Sequence, residues 1–125
     1  VVHTHSTHAA ALACLRRPLP AFHYMVAVAG GDSVPLVPYH LFGTEGSARA
    51  WRGRCATATP ACWPTMAWWR PGNTLPQALK VLREIESLCE VYLKALAVGE
   101  PTVLGADEMA AVLRRFRGYG RTARA

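Results

Sequence analysis

The chain is 125 residues long, enough for one domain with a core of ordinary size. Half of it is apolar (51%), yet no apolar run is long enough to span a bilayer and no secretory-signal pattern opens the chain. The net charge of +6 comes largely from Arg49, Arg52, Arg54 and Arg70, in a stretch without acids, and from Arg114, Arg115, Arg117, Arg121 and Arg124 near the end. The second group reads as a solvated helix face and tail, with a phosphate-binding patch as the alternative. No nucleic-acid motif accompanies it, so neither nucleic acid nor membrane is expected as a partner.

In chain order, Val1 to His5 is rich in β-branched residues and reads as a short buried strand. The chain has no initiator Met and starts on this strand, from which we expect the N-terminal part of a longer protein to precede it. Ser6 is placed to cap a helix through "THAAALACLRR", whose Arg16 and Arg17 suit the C-terminal dipole before Pro18 and Pro20. "AFHYMVAVAGG" reads as a second short helix stopped by Gly30 and Gly31. In "SVPLVPYHLFG", Pro35 and Pro38 restrict an extended segment to a short or edge strand.

A long helix begins after Thr74, where "TLPQ" offers a capping box with Gln77. Leu75, Ala78, Leu79, Leu82, Ile85, Leu88, Leu93 and Leu96 recur at helical spacing until Gly99 and Pro101. A last helix covers about Asp107 to Phe116, with Met109, Val112, Leu113 and Phe116 on one side, and "GYGRTARA" reads as a tail. The intervening "GSARAWRGRCATATPACWPTMAWWRPG" holds all four tryptophans, no Asp, Glu, Leu, Ile or Val, and neither a strand nor a helix period. The cysteines, Cys14, Cys55, Cys62 and Cys89, form no C-x-x-C pair, so reduced thiols in a cytoplasmic protein are expected.

Residues two apart on a strand face the same way, so His3 and His5 could present two imidazoles to one ion. Zinc held this way would lie about 2.0–2.1 Å from each nitrogen. The spacing alone leaves surface or core histidines as the alternative, and a metal site needs further ligands.

The motifs together narrow the choice. The H-x-H pair, "PAFHYM", "AGG", "VPYHLFGT", the helix from Thr74 to Leu96 and the closing "RFRGYG" occur in one order. In that order they resemble the class II aldolase/adducin family, most of all its L-fuculose-1-phosphate aldolase branch. The resemblance spans nearly the whole chain apart from the tryptophan-rich stretch. It implies an α/β, three-layer class II aldolase-type fold, with a central, mainly antiparallel sheet flanked by helices, of which this chain holds the C-terminal part.

The resemblance also implies roles. His3 and His5 fall on zinc ligands, and Tyr24 falls on the family's proton donor toward the aldehyde oxygen. A phenol suits a site where an alkoxide forms, being a donor at neutral pH. A partly buried helix aromatic is the alternative for Tyr24. Tyr119 falls on a mobile C-terminal tyrosine lent to the site, usually of a neighbouring subunit. Phe42 and Phe116 fall on positions lining the aldehyde side, with core aromatics as the alternative. His8 and His23 inherit no role, and His8 reads as structural or as support to the ligand pair. The implied reaction splits a ketose 1-phosphate, such as L-fuculose 1-phosphate, into dihydroxyacetone phosphate and an aldehyde, with Zn2+ as cofactor and a homotetramer as the assembly. A sugar-phosphate epimerase or dehydratase on the same scaffold, or a non-catalytic remnant, are the competing readings.

Two parts of the family pattern are missing. The phosphate-binding loops and the acid/base glutamate belong to the N-terminal half. The third zinc histidine belongs to an N-H-G motif where the tryptophan-rich stretch stands, and no histidine occurs from Gly43 to Ala125. Reading codons 46 to 71 two bases along can give, with suitably chosen third bases, a family-like segment that ends "ACLLANHGMVAAG". In that frame Trp63-Pro64 forces Ala, Met66-Ala67 forces Gly and Trp68-Trp69 forces Val, while Pro64-Thr65-Met66 permits Asn-His. A compensated frameshift over 46–71 is therefore expected, and with it a chain that binds zinc poorly and lacks aldolase activity.

Overall fold

Helix α3 (Leu75–Leu96) organises the molecule, and its sequence explains why. Apolar residues return every three or four positions, so one stripe faces inward: Ala78, Leu82, Ile85, Leu88, Cys89 and Tyr92 are buried. Thr74 caps it, its hydroxyl accepting the Gln77 N–H at 3.4 Å, and Pro76 occupies the first turn, where no intrahelical N–H is required. Leu75 and Leu79, expected on the inner face, lie exposed, because the stripe starts facing the core only from Ala78. In this computed structural model the described residues are 4–55, 61–62, 68–69 and 74–116, with backbone alone described for 51–55, 61–62 and 68–69.

Helix α1 (Thr7–Cys14) lies against α3, burying Ala9, Leu12 and Ala13 in the main core with Leu19, Val26, Ala29 and Val34. Small residues on this face let the two backbones approach. The helix ends earlier than the sequence indicates. Arg16 takes a left-handed conformation (φ 57°), and the Arg17 N–H donates to Leu12 O at 3.1 Å while the Arg16 N–H donates to Ala13 O at 3.0 Å. This is a Schellman ending, so Arg16 and Arg17 lie beyond the helix rather than in its last turn.

The second short helix is a 3-10 helix, Tyr24–Ala29, closed as expected by Gly30 in the left-handed region (φ 87°). The segment after it forms no strand: Leu19 pairs with Val34 in an isolated bridge, where each N–H donates to the other's carbonyl at 3.0 and 2.8 Å. Pro35 and Pro38 lack the donors to extend it. At the chain start, Val1 to His3 fall outside the described residues, and His5 is exposed rather than part of a buried strand.

Helix α2 (Glu45–Cys55) occupies the start of the stretch in which no helix period is legible. Local forces account for it: the Thr44 hydroxyl accepts the Ser47 N–H at 3.3 Å, and Glu45 and Arg49 pair at 2.6 Å one turn apart. Strands β1 (Ala61–Cys62) and β2 (Trp68–Trp69) pair antiparallel over two residues each. No larger sheet occurs among the described residues.

Helix α4 (Ala106–Phe116) begins where Glu108 reaches back to accept the Gly105 N–H at 2.7 Å, and Asp107 and Glu108 complement its dipole. It packs on the 3-10 helix through a second cluster: Met109, with Leu104, Val112, Leu113 and Phe116, against Ala21 and Ala27. The Leu104 N–H donates to Ala21 O at 2.8 Å, tying the approach of α4 to the same segment. No helix among the described residues is long and apolar enough to cross a membrane.

Candidate functional site

Of the residues singled out by sequence, His3 and Tyr119 lie outside the described residues. His5 is exposed and immediately precedes Ser6, the N-cap of α1. Ser6 has the extended backbone of a cap but makes no side-chain cap; its hydroxyl instead lies 2.7 Å from that of Thr4. The N–H groups such a cap would serve, those of His8 and Ala9, donate to Glu86 on α3, at 2.7 Å to Oε1 and 3.1 Å to Oε2. His8 Nδ1 lies 2.9 Å from the same Oε1, and because a carboxylate only accepts, this pairing puts the ring proton on Nδ1. The structural reading of His8 is what the geometry shows.

Tyr24 opens the 3-10 helix and is half-exposed. Its predecessor His23 is the N-cap, its Nδ1 accepting the Met25 N–H at 3.2 Å, and the two rings lie 4.7 Å apart at 30°. Phe22, one residue earlier, packs 5.0 Å from Tyr92 of α3. The alternation thus leaves Tyr24 at the surface while its neighbour joins the core.

Phe116 ends α4 and packs in the second cluster, on the helix that lies against Tyr24's element. Phe42 is different: it is 75% exposed, in a turn where the Thr44 hydroxyl and N–H both donate to Leu41 O, at 2.8 and 3.3 Å. Phe116 is thus partly buried among apolar side chains, whereas Phe42 stands in solvent.

Sequence reasoning missed Glu86. The signal was present: Glu86 stands four residues after Leu82 and three before Cys89, a carboxylate on the border of the buried stripe. Such a position calls for a polar partner.

The histidine donors fit zinc in kind. Among the described residues no group of three His, Cys, Asp or Glu side chains could hold a metal ion. Of the five histidines, His8 turns Nδ1 to Glu86 and His23 turns Nδ1 to a backbone N–H, while the chain beyond His40 has none. His3 and His5 are two imidazoles, and zinc sites take at least three protein ligands.

Comparison with known proteins agrees with this architecture. Residues 1–93 match the family described as Class II Aldolase and Adducin N-terminal domain. The chain belongs to that family. It is 44% identical over 126 residues to a 5-methylthioribulose-1-phosphate/5-deoxyribulose-1-phosphate aldolase of Rhodospirillum rubrum, a match covering 96% of this chain and 54% of the relative. It is 41% identical over 130 residues to an L-fuculose phosphate aldolase of Escherichia coli O6:H1, covering 96% and 56%. A solved L-fuculose 1-phosphate aldolase superposes with a TM-score of 0.79 at 35% identity, over 92% of this chain and 54% of that one. The chain spans about half the length of the curated relatives it matches.

Proposed function

We propose that this chain carries the ligand pair and the proton donor of a zinc-dependent class II aldolase that cleaves a ketose 1-phosphate into dihydroxyacetone phosphate and an aldehyde. The observation that carries this reading is the match, over 96% of the chain, to relatives named as aldolases of ketose 1-phosphates. His3 and His5 would hold the metal, which when bound supplies Lewis-acid stabilisation of the charge that develops on cleavage. Tyr24 donates its phenolic proton to the aldehyde oxygen as the C–C bond forms, and takes it back in cleavage. Its half-exposed position on a capped 3-10 helix suits that task, since the hydroxyl must reach a bound substrate. Tyr119 is a second tyrosine for the same site, reaching it from a neighbouring copy in a homotetramer. Phe42, exposed, and Phe116, at the end of α4, line the aldehyde side.

In this reading the domain is three-layered, with a central, mainly antiparallel sheet completed by residues beyond this chain's span, and the protein is cytoplasmic. Residues 46–71 are a frame-shifted segment, and the third zinc histidine is encoded in the alternative frame. The chain as given then holds zinc weakly and is inactive. An epimerase or dehydratase on the same scaffold is the second reading; "HYM" and the closing "GYG" favour the aldolase. Two experiments separate these. Resequencing codons 46 to 71 should give N-H-G in another frame, and its absence would remove the frameshift. Full-length, frame-corrected protein should release dihydroxyacetone phosphate from L-fuculose 1-phosphate; epimerised or dehydrated product without cleavage would replace the aldolase reading.

A further inference from the structure

The N-terminus of α1 is held from a distance. Its own N-cap, Ser6, is turned to Thr4, and the two N–H groups that this cap leaves open are taken by Glu86, 77 and 78 residues along the chain. Both oxygens of the carboxylate are engaged, one of them also facing His8 Nδ1. The carboxylate also sits at the positive end of the helix dipole, which favours it there. Its own helix is the most deeply packed element, with Ile85 next to it fully buried, so the acceptor itself is rigidly based.

The hold on the His8 and Ala9 amides reaches back through Ser6 to the residue before the cap. His5 precedes Ser6, and the Ser6 carbonyl accepts the Ala10 N–H at 2.9 Å, so the chain leaves the helix at a set angle only while its first turn is formed. We propose that Glu86 is a positioning residue for the H-x-H segment, anchoring the first turn of α1 to α3 and thereby setting where His5 stands. This rests on the reading of His3 and His5 as a ligand pair only for its consequence in metal binding; the ordering of the segment is independent of it.

Groups bonded directly to metal ligands typically change affinity by about 10- to 100-fold; Glu86 acts one step further back, through the backbone of the first turn, which points to the lower end of that range. A weak two-histidine site is well suited to reveal it, because no third ligand masks a change in the first two.

The test compares the parent chain with Glu86→Ala, Glu86→Gln and Met109→Ala. Amide hydrogen exchange is read at His5, Ser6, His8 and Ala9, and Co2+ affinity is read by titration. Met109 lies in the second cluster, so its truncation destabilises the fold without touching α1. Glu86→Gln keeps one acceptor oxygen and guards against a variant that fails to fold. The expected result is faster exchange at all four amides in Glu86→Ala, an intermediate effect in Glu86→Gln and none in Met109→Ala, with Co2+ affinity reduced about tenfold in Glu86→Ala alone. Unchanged exchange at His5 and Ser6 in Glu86→Ala would overturn the proposal. Equal weakening of Co2+ by Met109→Ala would do the same, since global stability would then explain the effect. If His3→Ala and His5→Ala leave the parent's Co2+ affinity unchanged, the ligand-pair reading fails, and the exchange at His5 and Ser6 still decides the role of Glu86.

Discussion

Single residues carry several devices whose strength is open to measurement. Arg16 occupies a left-handed position that costs an ordinary residue roughly 1–2 kcal/mol, and its guanidinium lies 5.8 Å from the Tyr39 ring centre. Glycine removes the backbone penalty, adds unfolded-state freedom and loses the ring contact. Arg16→Gly should therefore stabilise by about 0.5–1 kcal/mol in a Tyr39→Ala background and by less in the parent, read by urea unfolding. Lys94 donates to Glu90 at 2.6 Å and, with its charge and that of His8, holds the Glu90 carboxyl below the usual range. A lowered carboxyl contributes stability above its ordinary titration range and loses it as pH falls through the lowered one. The pair is exposed, so salt should screen this contribution, and Glu90→Gln should leave the melting temperature at physiological ionic strength nearly unchanged. For the chemistry, Tyr24→Phe in full-length, frame-corrected protein should lower kcat by about 10²- to 10⁴-fold, as removal of a general acid does, with the fold intact by circular dichroism.

Among the elements, legibility in the sequence followed the source of order. Helix α3 is legible because burial imposes a period, and its cap at Thr74 is a local motif. The end of α1 is misread because Arg16 carries no mark of a left-handed turn that only the Schellman hydrogen bonds require. Its start is half legible: Ser6 is the cap residue by position, but the capping group comes from Glu86, and no local pattern encodes a partner so far along the chain. The segment around Val34 fails to become a strand because prolines remove its donors, a limit the sequence does show. Helix α4 holds the 3-10 helix through Met109, and Met109→Ala should cost about 2–4 kcal/mol by leaving a cavity. The loss should appear in exchange of the 3-10 helix amides before those of α3.

At the scale of the molecule, the family is written in the order of its motifs, and the match over residues 1–93 bears this out. The candidate site is less legible. Tyr24 stands at the surface on the 3-10 helix and His5 at the surface just before α1, both elements packed against α3, but sequence could not reveal which distant groups hold them there. In the proposed reading the ligand set is short by one histidine, which is encoded out of frame between residues 46 and 71. Zinc titration of two proteins tests it most directly: the chain as given, and the same chain with 46–71 replaced by the shifted-frame segment containing N-H-G. The chain as given should lose its zinc on dialysis, while the restored chain should retain one zinc per copy. Stoichiometric, tight zinc in the chain as given, or no gain on restoring the segment, would contradict it.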